Sequence, residues 1–65
     1  MLLDALTKKL EGDIAVAKAN IDTYINNSVG IGEHSDIIGA IEVELEKLAS
    51  ADEKIKAIEN YLLTY

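Results

Sequence analysis

The sequence predicts an all-α fold, an antiparallel hairpin of two long helices, and three observations support this. Apolar residues recur every three or four positions, the spacing that places side chains on one face of a helix. The 65 residues include no proline, and residues that favour helix are abundant. Asparagine, serine and glycine crowd into one stretch near the middle. We therefore expect a single domain, residues 1–65, with one helix on each side of a loop.

The first helix is predicted from about residue 2 to about residue 26. Seven apolar residues form its stripe: Leu3, Leu6, Leu10, Ile14, Ala17, Ile21 and Ile25. Gly12 lies inside this helix and costs about 1 kcal/mol relative to alanine. Two explanations of Gly12 stay open, a close approach of the second helix near Ser50 or simple tolerance of the glycine.

A loop is predicted over about residues 27–34. Gly30 can adopt the left-handed conformation that ends a helix, and Gly32 follows within the same turn. His34 lies between Glu33 and Ser35, close to Asp36, which raises the question of a metal site. The spacing fits no ligand pattern, so we expect His34 to be an ordinary loop residue.

The second helix is predicted over about residues 35–63, with Ser35 as its N-cap. Its stripe is expected to contain these residues: Ile37, Ile38, Ile41, Leu45, Leu48, Ile55, Ile58 and Leu62. The stripe weakens near residue 50, where Ser50 and Glu53 also form a capping box. The helix is therefore either continuous or broken near Ser50.

A contact surface is expected on residues that the hairpin leaves uncovered. Equal rise along both helices places residues whose numbers sum to roughly 62 at the same level. The second helix then extends beyond the first, and Val16 and Val43 lie away from the two stripes. The candidate contact residues are Val16, Val43, Tyr61, Leu62, Leu63 and Tyr65.

Small size makes self-association the expected source of extra stability. A core in a chain of this length rarely supplies more than roughly 3–5 kcal/mol, and this chain has no cysteine for disulfides. Two hairpins that pair as a homodimer form a four-helix bundle and bury the stripes of all four helices. We therefore expect the chain to bind itself through coiled-coil packing.

The charge balance argues against nucleic acid and membrane partners. Twelve carboxylates face six lysines, for a net charge of −6, and such a surface repels DNA and anionic lipid. No apolar run approaches the roughly 20 residues that a membrane span needs. These features, with the absence of cysteine, are typical of a cytoplasmic protein.

No arrangement of residues indicates catalysis or a cofactor. The acids Glu42, Glu44 and Glu46 are expected to form a solvated face rather than an acid–base or metal site. A hairpin of this size is also expected to lack a pocket of the usual ~300 Å³ or more. The sequence therefore predicts a protein that is not an enzyme and binds no cofactor.

The segment from Asn27 to Ile37, with the letters V-G-I-G-E-H at its centre, resembles small acidic proteins of tailed bacteriophages, notably those of marine cyanobacteria. An acidic helix that ends in Lys54-Ile55-Lys56-Ala57-Ile58-Glu59 follows it, and the likeness covers nearly the whole chain. The resemblance implies a phage origin and a setting in the host cytoplasm. It implies no activity and no functional residue.

Two functions remain open from the sequence. The first is a structural or adaptor role, in which the helical faces bind a second copy and a host or virion protein. The second is an acidic inhibitor that mimics nucleic acid and occupies a basic site on a host protein. Carboxylates gathered on one face favour the second role, and scattered carboxylates favour the first.

Overall fold

A computed structural model describes residues 1–26 and 36–63. It contains two helices, α1 (Leu2–Asn26) and α2 (Ile37–Tyr61), and no strand within those residues. The helices pack side by side in opposite directions, which confirms the predicted helical hairpin. The molecule is a rod of 50 × 15 × 13 Å with a radius of gyration of 15.0 Å. A compact chain of this length has a radius of gyration of about 11 Å.

The ends of the helices agree closely with the sequence. α1 has the predicted bounds, whereas the helical part of α2 is two residues shorter at each end than the predicted 35–63. Asp36 occupies the N-cap position of α2, where its side chain makes no capping hydrogen bond. At the other end, the backbone N–H groups of Leu62 and Leu63 both donate to the carbonyl oxygen of Ile58, at 2.9 and 3.1 Å. Between these ends α2 is continuous, so the alternative of a break near Ser50 is wrong.

Each helix turns a strictly regular row of residues toward the other. The residues of α1 that are buried or half-buried along this row are Leu3, Thr7, Leu10, Ile14, Ala17, Ile21 and Tyr24. Those of α2 are Ile37, Ile41, Glu44, Leu48, Ala51, Ile55 and Ile58. Steps of three and four alternate without exception in both rows, which is the heptad repeat of a coiled coil.

Five apolar residues assigned to the stripes from the sequence are exposed. They are Leu6, Ile25, Ile38, Leu45 and Leu62, and Leu45 is exposed by 53%. Each α-helical residue turns about 100° from the last, so Leu45 points about 90° from the centre of the α2 row, whereas Glu44 points within about 20° of it. The prediction assigned Leu45 to the stripe because it is apolar, although its angular position lies away from the centre of the row.

The apolar core lies in the half of the hairpin that contains the chain termini. Leu10, Ala51 and Ile58 are each 4% exposed and form one cluster. Leu3, Ile14 and Ile55 pack against that cluster. A further buried alanine, Ala17, lies toward the loop. The core is therefore narrow, and much of it is alanine.

The register of the two helices differs from the expectation by about two residues. The sequence places Asn20 opposite residue 42, but the side chain of Asn20 donates a hydrogen bond to Glu44. A Cβ atom on Gly12 would meet no atom within 4 Å. Gly12 is therefore tolerated at an open site and does not serve a close approach of the helices.

Several predicted positions lie outside the described residues. They include the loop residues Gly30, Gly32 and His34 and the contact candidate Tyr65. The prediction that Ser35 is the N-cap of the second helix is wrong, because Asp36 occupies that position.

Candidate self-association surface

A long groove runs along one side of the hairpin, between the two helices. Its volume is about 550 Å³, so the expectation that no such space exists is wrong. The α1 residues that line it are Leu10, Asp13, Val16, Ala17 and Asn20. The α2 residues that line it are Glu44, Glu46, Lys47, Ser50, Ala51 and Lys54. The groove is thus an elongated depression between two parallel rows of side chains.

Helix periodicity extends both rows beyond the groove. Residues 43, 47, 50, 54, 57 and 61 of α2 follow one another at steps of four and three, so Val43 and Tyr61 lie on the same side as Lys47 and Lys54. The row of α1 comprises residues 2, 6, 9, 13, 16 and 20 by the same spacing. We call the surface formed by these two rows the groove face.

The predicted contact residues divide between different parts of the surface. Val16, Val43 and Tyr61 belong to the groove face and are exposed by 62%, 52% and 72%. Leu62 continues the inner row of α2 and is 38% exposed, and Leu63 is exposed beyond the end of the helix. The structure therefore brings three of the predicted residues to one face.

A buried carboxylate lies at the edge of the groove. Glu44 occupies the inner row of α2, where apolar residues would be expected, and is 8% exposed. Its two oxygens accept hydrogen bonds from the Asn20 amide at 3.0 Å and from the Lys47 ammonium at 3.1 Å. The Asn20 hydrogen bond and then that of Lys47 lower the pKa of Glu44. Glu44 is therefore a paired anion, and its placement on a solvated face was wrong.

The opposite side of the hairpin, which we call the far face, has a different charge. Residues 4, 8, 11, 15, 18, 22 and 25 of α1 and 38, 42, 45, 49, 52, 56 and 59 of α2 form its rows. These rows carry six carboxylates and three lysines. The groove face carries Lys9, Lys47 and Lys54, and the groove contains the carboxylates of Asp13, Glu44 and Glu46. Acid therefore concentrates on the far face, while the groove face is nearly balanced.

Two kinds of site are absent from the part of the chain that the structure describes. No group of three or more histidine and carboxylate side chains there is arranged to hold a metal ion. Among the same residues, neither helix contains a segment that is long and apolar enough to cross a membrane.

Comparison with known proteins finds no relative of this chain. No protein-family model matches the chain, and no curated protein or solved structure does so. The fold and the groove face define the chain as a two-helix antiparallel coiled-coil hairpin, and its function must be argued from that geometry.

Proposed function

We propose that this chain is a non-enzymatic interaction module that acts by self-association. The observation that carries the proposal is the contrast between a small core and a large apolar surface. Four apolar side chains are buried, two of them alanines. Eleven large apolar side chains are exposed among the described residues, including Val16, Val43 and Tyr61. Burial of such side chains in a bundle is the main source of stability available to so short a chain.

The surface area supports the same conclusion. The chain exposes 5114 Å², whereas a compact monomer of its mass exposes about 4,100 Å². The excess of about 1,000 Å² is close to the ~800 Å² per partner that a typical stable protein interface buries. A hairpin of this shape therefore has enough uncovered surface for one full interface.

The experiment is sedimentation equilibrium of the full chain at micromolar concentration. We expect a mass of at least twice 7.1 kDa, and far-ultraviolet circular dichroism that loses helix on dilution. A single species of 7.1 kDa that remains fully helical at all concentrations would overturn the proposal.

The resemblance to phage proteins supports a host or virion protein as an additional partner and the host cytoplasm as the setting. In this role the bundle is a structural or adaptor element. Capture of partners from infected cells, with a chain whose groove face is altered as the control, would test that extension.

A second candidate function is an acidic inhibitor that occupies a basic site on a host protein. The concentration of six carboxylates on the far face supports it, because a basic site is attracted to such a surface. The three lysines on the far face weaken this attraction. Replacement of Glu11 and Asp52 by lysine should then abolish binding to the host protein and leave self-association intact.

A further inference from the structure

We infer that the groove face binds a second copy of this chain, so that two hairpins pack face to face in a four-helix bundle. The inference rests on the proposed self-association and specifies its face.

The groove supplies space for such an interface. The groove itself provides a volume of about 550 Å³ between the helices, into which side chains of another copy can pack.

Charge distinguishes the groove face from the far face. Two far faces would bring six carboxylates from each copy together against three lysines from each, which is repulsive. The groove face and the groove beside it carry three lysines and three carboxylates, so two such faces meet without net repulsion. Ile25 and Ile38 lie on the far face, next to residues 27–35, which are outside the described residues. These two side chains are therefore not assigned to a free apolar surface.

The face is tested with a matched pair of charge substitutions. Val43 on the groove face is 52% exposed and Leu45 on the far face is 53% exposed, and each is replaced by glutamate. We expect Val43→Glu to raise the dissociation constant at least about tenfold in sedimentation equilibrium, and Leu45→Glu to leave it within about threefold. Circular dichroism at high concentration verifies that both variants remain helical.

The two ways to fail are distinguishable. If the natural chain is a monomer, the proposed function itself falls, and this inference falls with it. If the natural chain associates and Val43→Glu associates equally well, the groove face is the wrong surface while self-association stands. A larger loss in Leu45→Glu than in Val43→Glu would assign the interface to the far face.

The face is also tested without any added charge, by spin labels on single introduced cysteines, because the chain has no cysteine of its own. Ser50 lies next to the centre of α2 on the groove face, and its neighbour Ala49 lies on the far face. Pulsed dipolar spectroscopy should give about 20 Å or less between labels at Ser50→Cys and more than about 30 Å between labels at Ala49→Cys, given helix separations of 8–10 Å.

A long distance between labels at Ser50, or a short distance between labels at Ala49, would overturn the assignment of the face.

Discussion

The two halves of the hairpin are held together by different forces. In the terminal half, which contains the chain ends, Leu10, Ala51 and Ile58 form a buried apolar cluster. In the loop half, the corresponding central position is occupied by Glu44, which is held by Asn20 and Lys47. Burial of apolar side chains stabilises the fold and depends little on the exact register of the two helices. Burial of a carboxylate costs free energy unless its hydrogen-bond partners are correctly placed. The comparison indicates that the terminal half supplies stability and the loop half specifies alignment.

The largest effect is expected from truncation of the terminal core. Leu10→Ala should lower the free energy of unfolding by about 2–4 kcal/mol, because a buried leucine is replaced by a cavity. Leu45→Ala is the control, and its cost should stay within about 0.5 kcal/mol because Leu45 is half in solvent. Urea unfolding followed by circular dichroism measures both. Equal losses in the two variants would show that Leu45 is a core residue after all.

Alanine substitutions at the two helical glycines provide a direct comparison of the two halves. Gly12→Ala should stabilise the chain by about 1 kcal/mol, because the new methyl group meets no atom within 4 Å and alanine favours helix. Gly39→Ala should gain less, because its Cβ would lie 2.5 Å from Oδ1 of Asp36 and that carboxylate must move. Thermal unfolding at matched concentration tests this order. A larger gain at Gly39 would contradict it.

Replacement of the buried acid by an apolar residue should make the loop half resemble the terminal half. We expect Glu44→Leu to raise the melting temperature by a few degrees, because a leucine in the inner row needs no polar partner. Glu42→Leu, at an exposed position on the far face, is the control and should not stabilise the hairpin to the same degree. A lower melting temperature for Glu44→Leu would show that the Asn20 contact contributes more than the apolar replacement.

Acid should weaken the loop half selectively. The pKa of Glu44 is lowered in the folded chain by its hydrogen bond from Asn20 and then by Lys47. Its contribution to stability is therefore fully present above the ordinary glutamate pKa of ~4.3 and is lost as the pH falls through the lowered value. The urea midpoint should decline over this range, and the decline should be shallower in Glu44→Gln. Identical declines would remove Glu44 as the source.

Lys56 should give the smallest effect, at the opposite end of the pH scale. The hydrogen bond to Asp52 and the charge of that residue raise the pKa of Lys56. The contribution is present below the ordinary lysine pKa of ~10.4 and is lost as the pH rises through the raised value. Both side chains are well exposed, so Lys56→Gln should change the alkaline urea midpoint only slightly. A large change would mean that this pair contacts another element.

Much of the fold could be predicted from the sequence because helix periodicity is a local property. The bounds of α1 and the hairpin class followed from the three-and-four spacing and the glycine-containing interruption. The burial of Glu44 was missed because residues were assigned to the buried row by their apolar character and not by their angular position on the helix. Its signal was nevertheless in the sequence, since Ile41, Glu44 and Leu48 continue the alternating steps of the row. Val16 and Val43 were identified as off-stripe residues from the same periodicity.

The sequence by itself determined that two helices form, where α1 begins and ends, and that too little apolar material lies between them for a large core. Only the tertiary structure decided that α2 continues through Ser50, that Glu44 rather than Leu45 faces α1, and that Val16, Val43 and Tyr61 share one face. Local steric and hydrogen-bonding preferences fix a helix within a few residues. The register of two helices depends on contacts between residues distant in the chain, such as that of Asn20 with Glu44.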